Sequence, residues 1–154
     1  MLKIVVVDAP PAGGEGLSVG GPDQAAIDAV IAAFYAAFDN RDGRAPATSA
    51  LRGLFTPEAR VVRVSAEGVA SWDLEAFIAP REAMLGDGTL LDFHEWETDA
   101  ATQVSGNIAS RTSRYRKAGT LNGAPYVGEG RKFIQLARGA DARWRITAVL
   151  WEDD

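Results

Sequence analysis

The residues best suited to chemistry lie in one predicted strand, Leu91–Asp99, which holds the only histidine of the chain. Side chains alternate across a strand, so Asp92, His94 and Trp96 share one face. If that face is turned inward, His94 is suited to act as acid and base near neutral pH, with Asp92 orienting its ring. The alternative is a half-exposed histidine beside solvated carboxylates.

The opposite face of this strand carries the acidic residues Glu95, Glu97 and Asp99. Carboxylates in such a row are most simply explained as a solvated surface. We therefore expect this face to meet water.

The next predicted strand, Ile108–Lys117, has no purely apolar face. This pattern is typical of a strand that lines a polar pocket, and also of an edge strand. One phase turns inward Ala109, Arg111, Ser113 and Tyr115. The opposite phase turns inward Ser110, Thr112 and Arg114. We favour the first phase because the small Ala109 suits a crowded interior, where Arg111 or Tyr115 would stabilise a carboxylate or oxyanion.

Three further side chains are candidate ligand contacts. Gln135 is either a buried amide that meets a ligand or a polar group at the open end of the sheet. Trp96 either forms the wall of an apolar cavity or fills the core. Phe34, on the apolar face of the first predicted helix, either lines the pocket or packs it shut.

Composition excludes several kinds of site. The 154 residues include no cysteine and one histidine, which excludes disulfides, thiolate nucleophiles and multi-histidine metal centres. No motif for a bound cation is present, and we expect neither a metal nor a cofactor. The formal charge of −5 opposes binding to nucleic acid or to anionic membranes, because both need a basic surface.

The first residues predict a strand, Leu2–Val7, followed by a Gly- and Pro-rich arm to Pro22. The apolar stretch is too short for a signal sequence or a membrane span, so we expect a cytoplasmic protein. Gly14, Gly16 and Gly20 have the wrong spacing for a dinucleotide-binding loop. We divide the chain into an arm, 1–22, and one domain, 23–154.

The domain begins with three predicted helices. Apolar residues recur at helical spacing over Pro22–Asp39, with Pro22 suited to the first helical position. A short helix is expected around Leu51–Phe55, and two short strands follow it. Asp73 is placed to cap a third helix, which Pro80 should kink or divide.

Four long strands are predicted over 90–104, 108–118, 125–138 and 143–152. Short turns between them favour antiparallel neighbours, so the fold class is α+β. In the last strand we expect the alternating residues to face the helices, namely Trp144, Ile146, Ala148 and Leu150. Trp151 then lies on the outer face, where it either contributes to a homodimer interface or packs under the N-terminal strand.

Three segments together resemble the nuclear transport factor 2-like superfamily. They are the amphipathic Ala26–Asp42, then Leu54–Val62, and Arg143–Ile146 on the closing strand. The resemblance covers about Asp23–Trp151 and implies a cone-shaped fold, in which three N-terminal helices pack on a curved antiparallel sheet. These motifs specify packing rather than chemistry.

The steroid-isomerase branch of this superfamily uses a tyrosine on the first helix and an aspartate base on an early strand. The matching positions here hold Phe34 and Arg63. An arginine cannot abstract a proton, so that mechanism is disfavoured. The scytalone-dehydratase branch makes an inward-facing His94 plausible.

Two functions remain open. One is a SnoaL-like protein that binds a small organic molecule in its cone, with cofactor-independent isomerase, dehydratase or hydrolase chemistry if it is an enzyme. The other is a non-catalytic dimeric binding or association module that uses the outer face of the sheet.

Overall fold

The computed structural model describes residues 21–154, which form three α-helices and one six-stranded sheet. The helices are α1 (Pro22–Ala36), α2 (Leu51–Leu54) and α3 (Leu74–Gly86). Two 3₁₀ turns, Arg41–Gly43 and Thr48–Ala50, lie between α1 and α2. The strands are β1 (Phe55–Ser65), β2 (Gly68–Asp73), β3 (Leu90–Ser105), β4 (Ile108–Leu121), β5 (Ala124–Arg138) and β6 (Trp144–Asp153). The predicted α+β class is confirmed. The predicted strand Leu2–Val7 and most of the arm lie outside the described residues, and the boundary at residue 22 stays a prediction.

The sheet has the strand order β2-β1-β6-β5-β4-β3. The four predicted long strands form the antiparallel meander β3 to β6. The hairpin β1–β2 joins it through β1, which runs parallel to β6. Two-residue turns connect β3 to β4 and β4 to β5, and the second is Asn122-Gly123, where both residues have positive φ. This pair favours a hairpin turn that matches the twist of the strands.

Helix α1 begins with Pro22 in its first turn, as predicted, because the missing N–H of proline has no helical partner there in any case. Its buried residues, Ile27, Ile31, Phe34 and Tyr35, lie on one face at helical spacing. That face packs against the concave side of the sheet and forms part of the wall of the interior.

Helix α3 begins at the predicted cap, where the Asp73 carboxylate accepts a hydrogen bond of 2.8 Å from the backbone N–H of Ala76. Pro80 lies inside this helix and does not divide it. Phe77, Ile78 and Leu85 are buried against the core.

Asn40, which sequence reasoning did not single out, joins the ends of three elements. Its side-chain amide donates to the carbonyls of Leu85 and Leu90, at 3.0 and 2.8 Å. Its side-chain oxygen accepts from the backbone N–H of Phe93 at 2.8 Å. Asn40 is buried, and these bonds fix the chain after α1 to the end of α3 and the start of β3.

β-Bulges change which side chains face the interior: β3 has two, at Asp92–Phe93 and at Thr98, and β6 has one, at Thr147. In β3, Asp92 and Phe93 lie opposite the single residue Gly119, so both Leu90 and Phe93 are buried despite their odd spacing. In β6, Thr147 is the extra residue between Ile146 and Ala148. Beyond that bulge the inward set changes to Val149 and Trp151.

The prediction for the end of β6 was therefore wrong. Leu150 is exposed on the outer face, whereas Trp151 faces inward and stacks on Trp72 with ring centroids 5.8 Å apart. Trp151 also meets Phe77 of α3 edge-on. It belongs to the inner wall and is not available to an interface on the outer face.

Candidate ligand-binding cavity

The concave face of the sheet and the helices α1 and α3 line a partly open cavity of about 150 Å³. We call it the cone cavity. Its apolar wall includes Phe34, Phe38, Phe77, Phe93, Val149 and Trp151. A space of this size holds a molecule about as large as one benzene ring.

Charged side chains also line the cone cavity. They are the cations Arg63, Arg81, Lys117 and Lys132 and the carboxylates Glu95 and Asp153. Such groups are expensive to bury unless each has a partner, so their pairing decides what the cavity can accept.

Lys132 is the most deeply enclosed of these cations. Its ammonium donates to Glu95 at 2.9 Å and lies 4.2 Å from the ring centroid of Tyr115 and 4.7 Å from that of Tyr35. Burial lowers the pKa of Lys132, and the charge of Glu95 opposes this shift. Lys132 and Glu95 form a buried ion pair at the wall of the cavity.

Asp153 is held by three donors. Lys117 donates to it at 3.1 Å, Arg63 at 3.2 Å, and the Tyr115 hydroxyl through a short hydrogen bond. Burial acts to raise the pKa of Asp153, but the bond from Tyr115 and the charge of Lys117 outweigh it, and the pKa lies below its ordinary value. Asp153 is therefore ionised at neutral pH.

Arg81 differs from the other cations, because no carboxylate among residues 21–154 lies within ion-pair distance of it. Its guanidinium stacks on Phe77 at 3.9 Å from the ring centroid, and lies 5.6 Å from the centroid of Trp151. One of its N–H groups donates to the Phe77 carbonyl at 3.0 Å. Burial lowers the pKa of Arg81 to about 10, so it remains a cation at neutral pH.

Sequence reasoning missed Arg81, Lys117, Lys132 and Asp153. The signal for Lys132 was its alternation with the apolar Ile134 and Leu136 in β5. The signal for Arg81 was its position one helical turn after the buried Phe77.

The favoured phase of β4 is confirmed, because Ala109, Arg111, Ser113 and Tyr115 are all buried. Arg111 and Ser113, which we expected to contact a ligand, instead form hydrogen bonds with other side chains of the protein. Arg111 donates to Asp28 at 2.6 Å, to Glu97 at 2.5 Å and to Thr102 at 3.0 Å.

Ser113 continues this network. It donates to Glu97 at 2.5 Å and shares a 2.8 Å hydrogen bond with the Tyr35 hydroxyl of α1. Burial acts to lower the pKa of Arg111, but the bonds to Glu97 and Asp28 outweigh it and raise that pKa. The network joins α1, β3 and β4, and its acceptors already occupy the Arg111 guanidinium.

The structure does not bring His94 and Asp92 together. The bulge at Asp92–Phe93 turns Phe93 and Glu95 into the cone cavity, and the Asp92 carboxylate instead accepts the backbone N–H of Asp42 at 3.0 Å. Glu95 and Glu97 are therefore not the solvated surface that we expected.

His94 stacks on Trp96, with ring centroids 4.4 Å apart, in an open groove between α1 and β3. Its Nδ1 is buried without a hydrogen-bond partner among the described residues. Trp96 is partly exposed in the same groove. A catalytic role of His94 stays a prediction, but in this position the ring does not line the cone cavity.

The remaining candidates divide. Phe34 lines the cone cavity and is 2% exposed. Gln135 is exposed on the outer face, because the inward residues of β5 are Lys132, Ile134 and Leu136. Of the two alternatives for Gln135, its exposure excludes the buried amide and agrees with a polar group that meets water.

No helix formed by residues 21–154 is long and apolar enough to cross a membrane. Within the same residues, no group of three or more His, Asp or Glu side chains is arranged to hold a metal ion.

Solved structures resemble this chain over most of its length. A nuclear transport factor 2-like superfamily protein from Salmonella enterica serovar Typhimurium matches with a TM-score of 0.65 and 19% identity, over 81% of this chain and 86% of that one. A protein of unknown function with a cystatin-like fold from Nostoc punctiforme matches with a TM-score of 0.65 and 17% identity, over 88% and 93%. The chain has the nuclear transport factor 2-like fold.

A third structure with this fold is a putative Ca/calmodulin-dependent kinase II association domain from Exiguobacterium sibiricum. It matches with a TM-score of 0.68 and 10% identity, over 92% of this chain and 98% of that one. No protein-family model and no curated protein matches the sequence. At these identities the nuclear transport factor 2-like neighbours support the architecture alone.

Proposed function

We propose that the protein binds a small organic molecule in the cone cavity. The observation that supports this proposal is a partly open cavity whose wall combines apolar, mostly aromatic side chains with converging charged groups. Binding sites for small molecules have this composition, in which apolar area supplies affinity and a few polar groups set orientation.

Cofactor-independent isomerase, dehydratase or hydrolase chemistry is the catalytic form of this proposal. Glu95 and Asp153 are its candidate proton acceptors, because they are the carboxylates that line the cone cavity. His94 would require a substrate that reaches the groove beside α1. Once a substrate is found, its turnover should be measured in His94→Ala. A loss of turnover would support an acid–base role for His94, and unchanged turnover would favour Glu95 or Asp153.

Filling the cavity tests the proposal. Val149 is 1% exposed and lines the cone cavity, so Val149→Phe should occupy the space of a bound ring. Val127 is 74% exposed, so Val127→Phe is a matched control. We expect a screen of fluorinated single-ring compounds by ¹⁹F NMR to give ligands that bind the parent protein and Val127→Phe but not Val149→Phe.

Melting temperatures establish that both variants fold. Met84→Phe, at a half-buried position of the same wall, provides a second filled cavity if Val149→Phe is too unstable. Ligands that bind both filled variants as tightly as the parent protein would contradict binding in the cone cavity.

Association through the outer face of the sheet is a second candidate function. Phe133 and Leu150 are direct cross-strand neighbours, 44% and 43% exposed, and Leu150 also lies beside Val62. Adjacent exposed apolar side chains of this kind favour contact with another protein surface. The similarity to the association domain from Exiguobacterium sibiricum is consistent with this candidate.

We propose that the partner in this case is a second copy of the chain, and that the protein is cytoplasmic. Sedimentation of the purified protein should then give a dimer that Leu150→Glu converts to a monomer. Val127→Glu, at the far end of β5, should leave the dimer intact. A parent protein that is monomeric at high micromolar concentration would contradict the dimer.

A further inference from the structure

The charges that line the cone cavity do not balance. Four cations, Arg63, Arg81, Lys117 and Lys132, face two carboxylates, Glu95 and Asp153. The side chain of Arg63 is 46% exposed, so water screens its charge. In the described part of the wall, the other three cations still exceed the two carboxylates by one, in a protein whose formal net charge is −5. A cationic interior in an acidic protein requires a specific explanation.

The excess is costly in this position. The side chains of Lys132, Glu95 and Lys117 are only 6%, 11% and 12% exposed, so water screens the charges in this part of the wall poorly. A buried cation without a counter-ion loses hydration that nothing in the protein returns. An anionic ligand would supply the missing countercharge.

The pairing of the charges identifies which cation is available. Lys132 is bonded to Glu95, and Lys117 and Arg63 are both bonded to Asp153. Among residues 21–154, Arg81 is the cation of this wall that has no carboxylate within ion-pair distance.

The orientation of Arg81 suits it to binding an anionic ligand. Its guanidinium is stacked on Phe77, at 3.9 Å from the ring centroid, and donates one hydrogen bond, to the Phe77 carbonyl. A guanidinium has five N–H donors, so N–H groups on its edge remain for the two oxygens of a carboxylate. The aromatic ring below it fixes the plane of the fork.

We infer that the cone cavity selects a small organic monocarboxylate, with an apolar body about the size of one benzene ring, and that Arg81 holds the carboxylate. The size follows from the cavity volume of about 150 Å³. The apolar body would contact the aromatic wall that Phe34 and Phe93 contribute. This inference rests on the proposed function and adds the chemical class of the ligand.

Benzoate and benzamide test the inference, since they have nearly the same shape and differ in charge. We expect titration calorimetry on the full chain to give an affinity for benzoate at least about tenfold higher than for benzamide, because charge-assisted hydrogen bonds are the stronger kind. In Arg81→Gln we expect the benzoate affinity to fall by about tenfold or more, and the benzamide affinity to stay the same.

Two variants serve as controls. Arg116→Gln removes an arginine of the exposed surface, where it pairs with Glu129, and should bind benzoate as the parent protein does. Arg81→Lys keeps the charge but loses the planar fork, so its benzoate affinity should fall between those of the parent and Arg81→Gln. It also keeps the test informative if Arg81→Gln does not fold.

The outcomes separate this inference from the proposal on which it rests. Equal affinities for benzoate and benzamide, both lost in Val149→Phe, would overturn anion selection and leave the cavity proposal standing. Benzoate binding that is unchanged in Arg81→Gln would overturn the role of Arg81. Benzoate binding that persists in Val149→Phe would overturn both.

Discussion

The Lys132 ammonium and the Glu95 carboxylate lie 2.9 Å apart, with side chains only 6% and 11% exposed. Removing one partner of such a pair leaves the other charge buried without compensation. The pair joins β5 to the strand β3 at the edge of the sheet, across the interior.

Glu95→Gln should therefore be strongly destabilising. We expect it to reduce the free energy of unfolding by about 3–5 kcal/mol, measured by urea denaturation. The double variant Glu95→Gln/Lys132→Met removes both charges and should recover much of this loss. Glu129→Gln, at an exposed ion pair, should change stability by less than about 1 kcal/mol. Equal losses in Glu95→Gln and Glu129→Gln would contradict a buried pair.

The lowered pKa of Asp153 predicts that the free energy of unfolding decreases at low pH. Its pKa is below the ordinary value of 3.8 in the folded protein, because the Tyr115 hydrogen bond and the Lys117 charge outweigh burial. The folded carboxyl then binds fewer protons than the unfolded one, so this stabilisation is complete above pH 3.8 and is lost as the pH falls below it. The difference in unfolding free energy between the parent and Asp153→Asn should thus be nearly constant above about pH 5 and shrink as the pH falls below 3.8. A difference that does not change as the pH falls below 3.8 would contradict the assignment.

The helical and strand periodicities predicted the elements well, because each buried face repeats at the spacing that its geometry requires. The Asn122-Gly123 turn and the Asp73 cap were also predictable, since each depends on a few adjacent residues. The inward faces of β3 and β6 were not predictable in full. A bulge inserts one residue and reverses the alternation, and no residue type at Asp92 or Thr147 announces it.

The same bulges explain why the site was only partly predicted. Alternation left open whether the face with His94 or the face with Glu95 is inward, and the structure places Glu95 in the cone cavity. The Lys132–Glu95 pair depends on contact between strands that are not adjacent in the sheet, and periodicity within one strand carries no information about such contacts. Phe34 was identified because α1 is regular throughout.

Arg111 should contribute stability rather than ligand affinity. Arg111→Met removes the guanidinium that Asp28, Glu97 and Thr102 share, and leaves Glu97 partly buried without it. We expect a loss of about 2–3 kcal/mol in unfolding free energy, together with unchanged affinity for any ligand of the cone cavity. Arg114→Met, an exposed arginine on the same strand, should cost less than about 0.5 kcal/mol. A selective loss of ligand affinity in Arg111→Met would restore the ligand-clamp role predicted from sequence.

Gly130 makes room for the bond between Tyr115 and Asp153. It lies between them in the sheet, directly opposite Tyr115 on β4 and Asp153 on β6. A Cβ at this position would lie 2.5 Å from the Tyr115 hydroxyl and would also clash with the Glu152 carbonyl oxygen. The Tyr115 side chain therefore crosses β5 above a residue that has no side chain of its own.

Gly130→Ala should consequently destabilise the fold by about 1–3 kcal/mol and displace Tyr115 from Asp153, because the obstructing carbonyl belongs to the backbone and cannot rotate away. Gly128→Ala is the matched control on the same strand, since its Cβ would meet only the flexible end of Lys117, at 2.9 Å from Cε. Urea denaturation should give a small change for Gly128→Ala, and the Tyr115 hydroxyl resonance should shift only in Gly130→Ala. Equal stability of the two variants would mean that β5 can move away from Tyr115, and that the glycine is not required for the Tyr115–Asp153 bond.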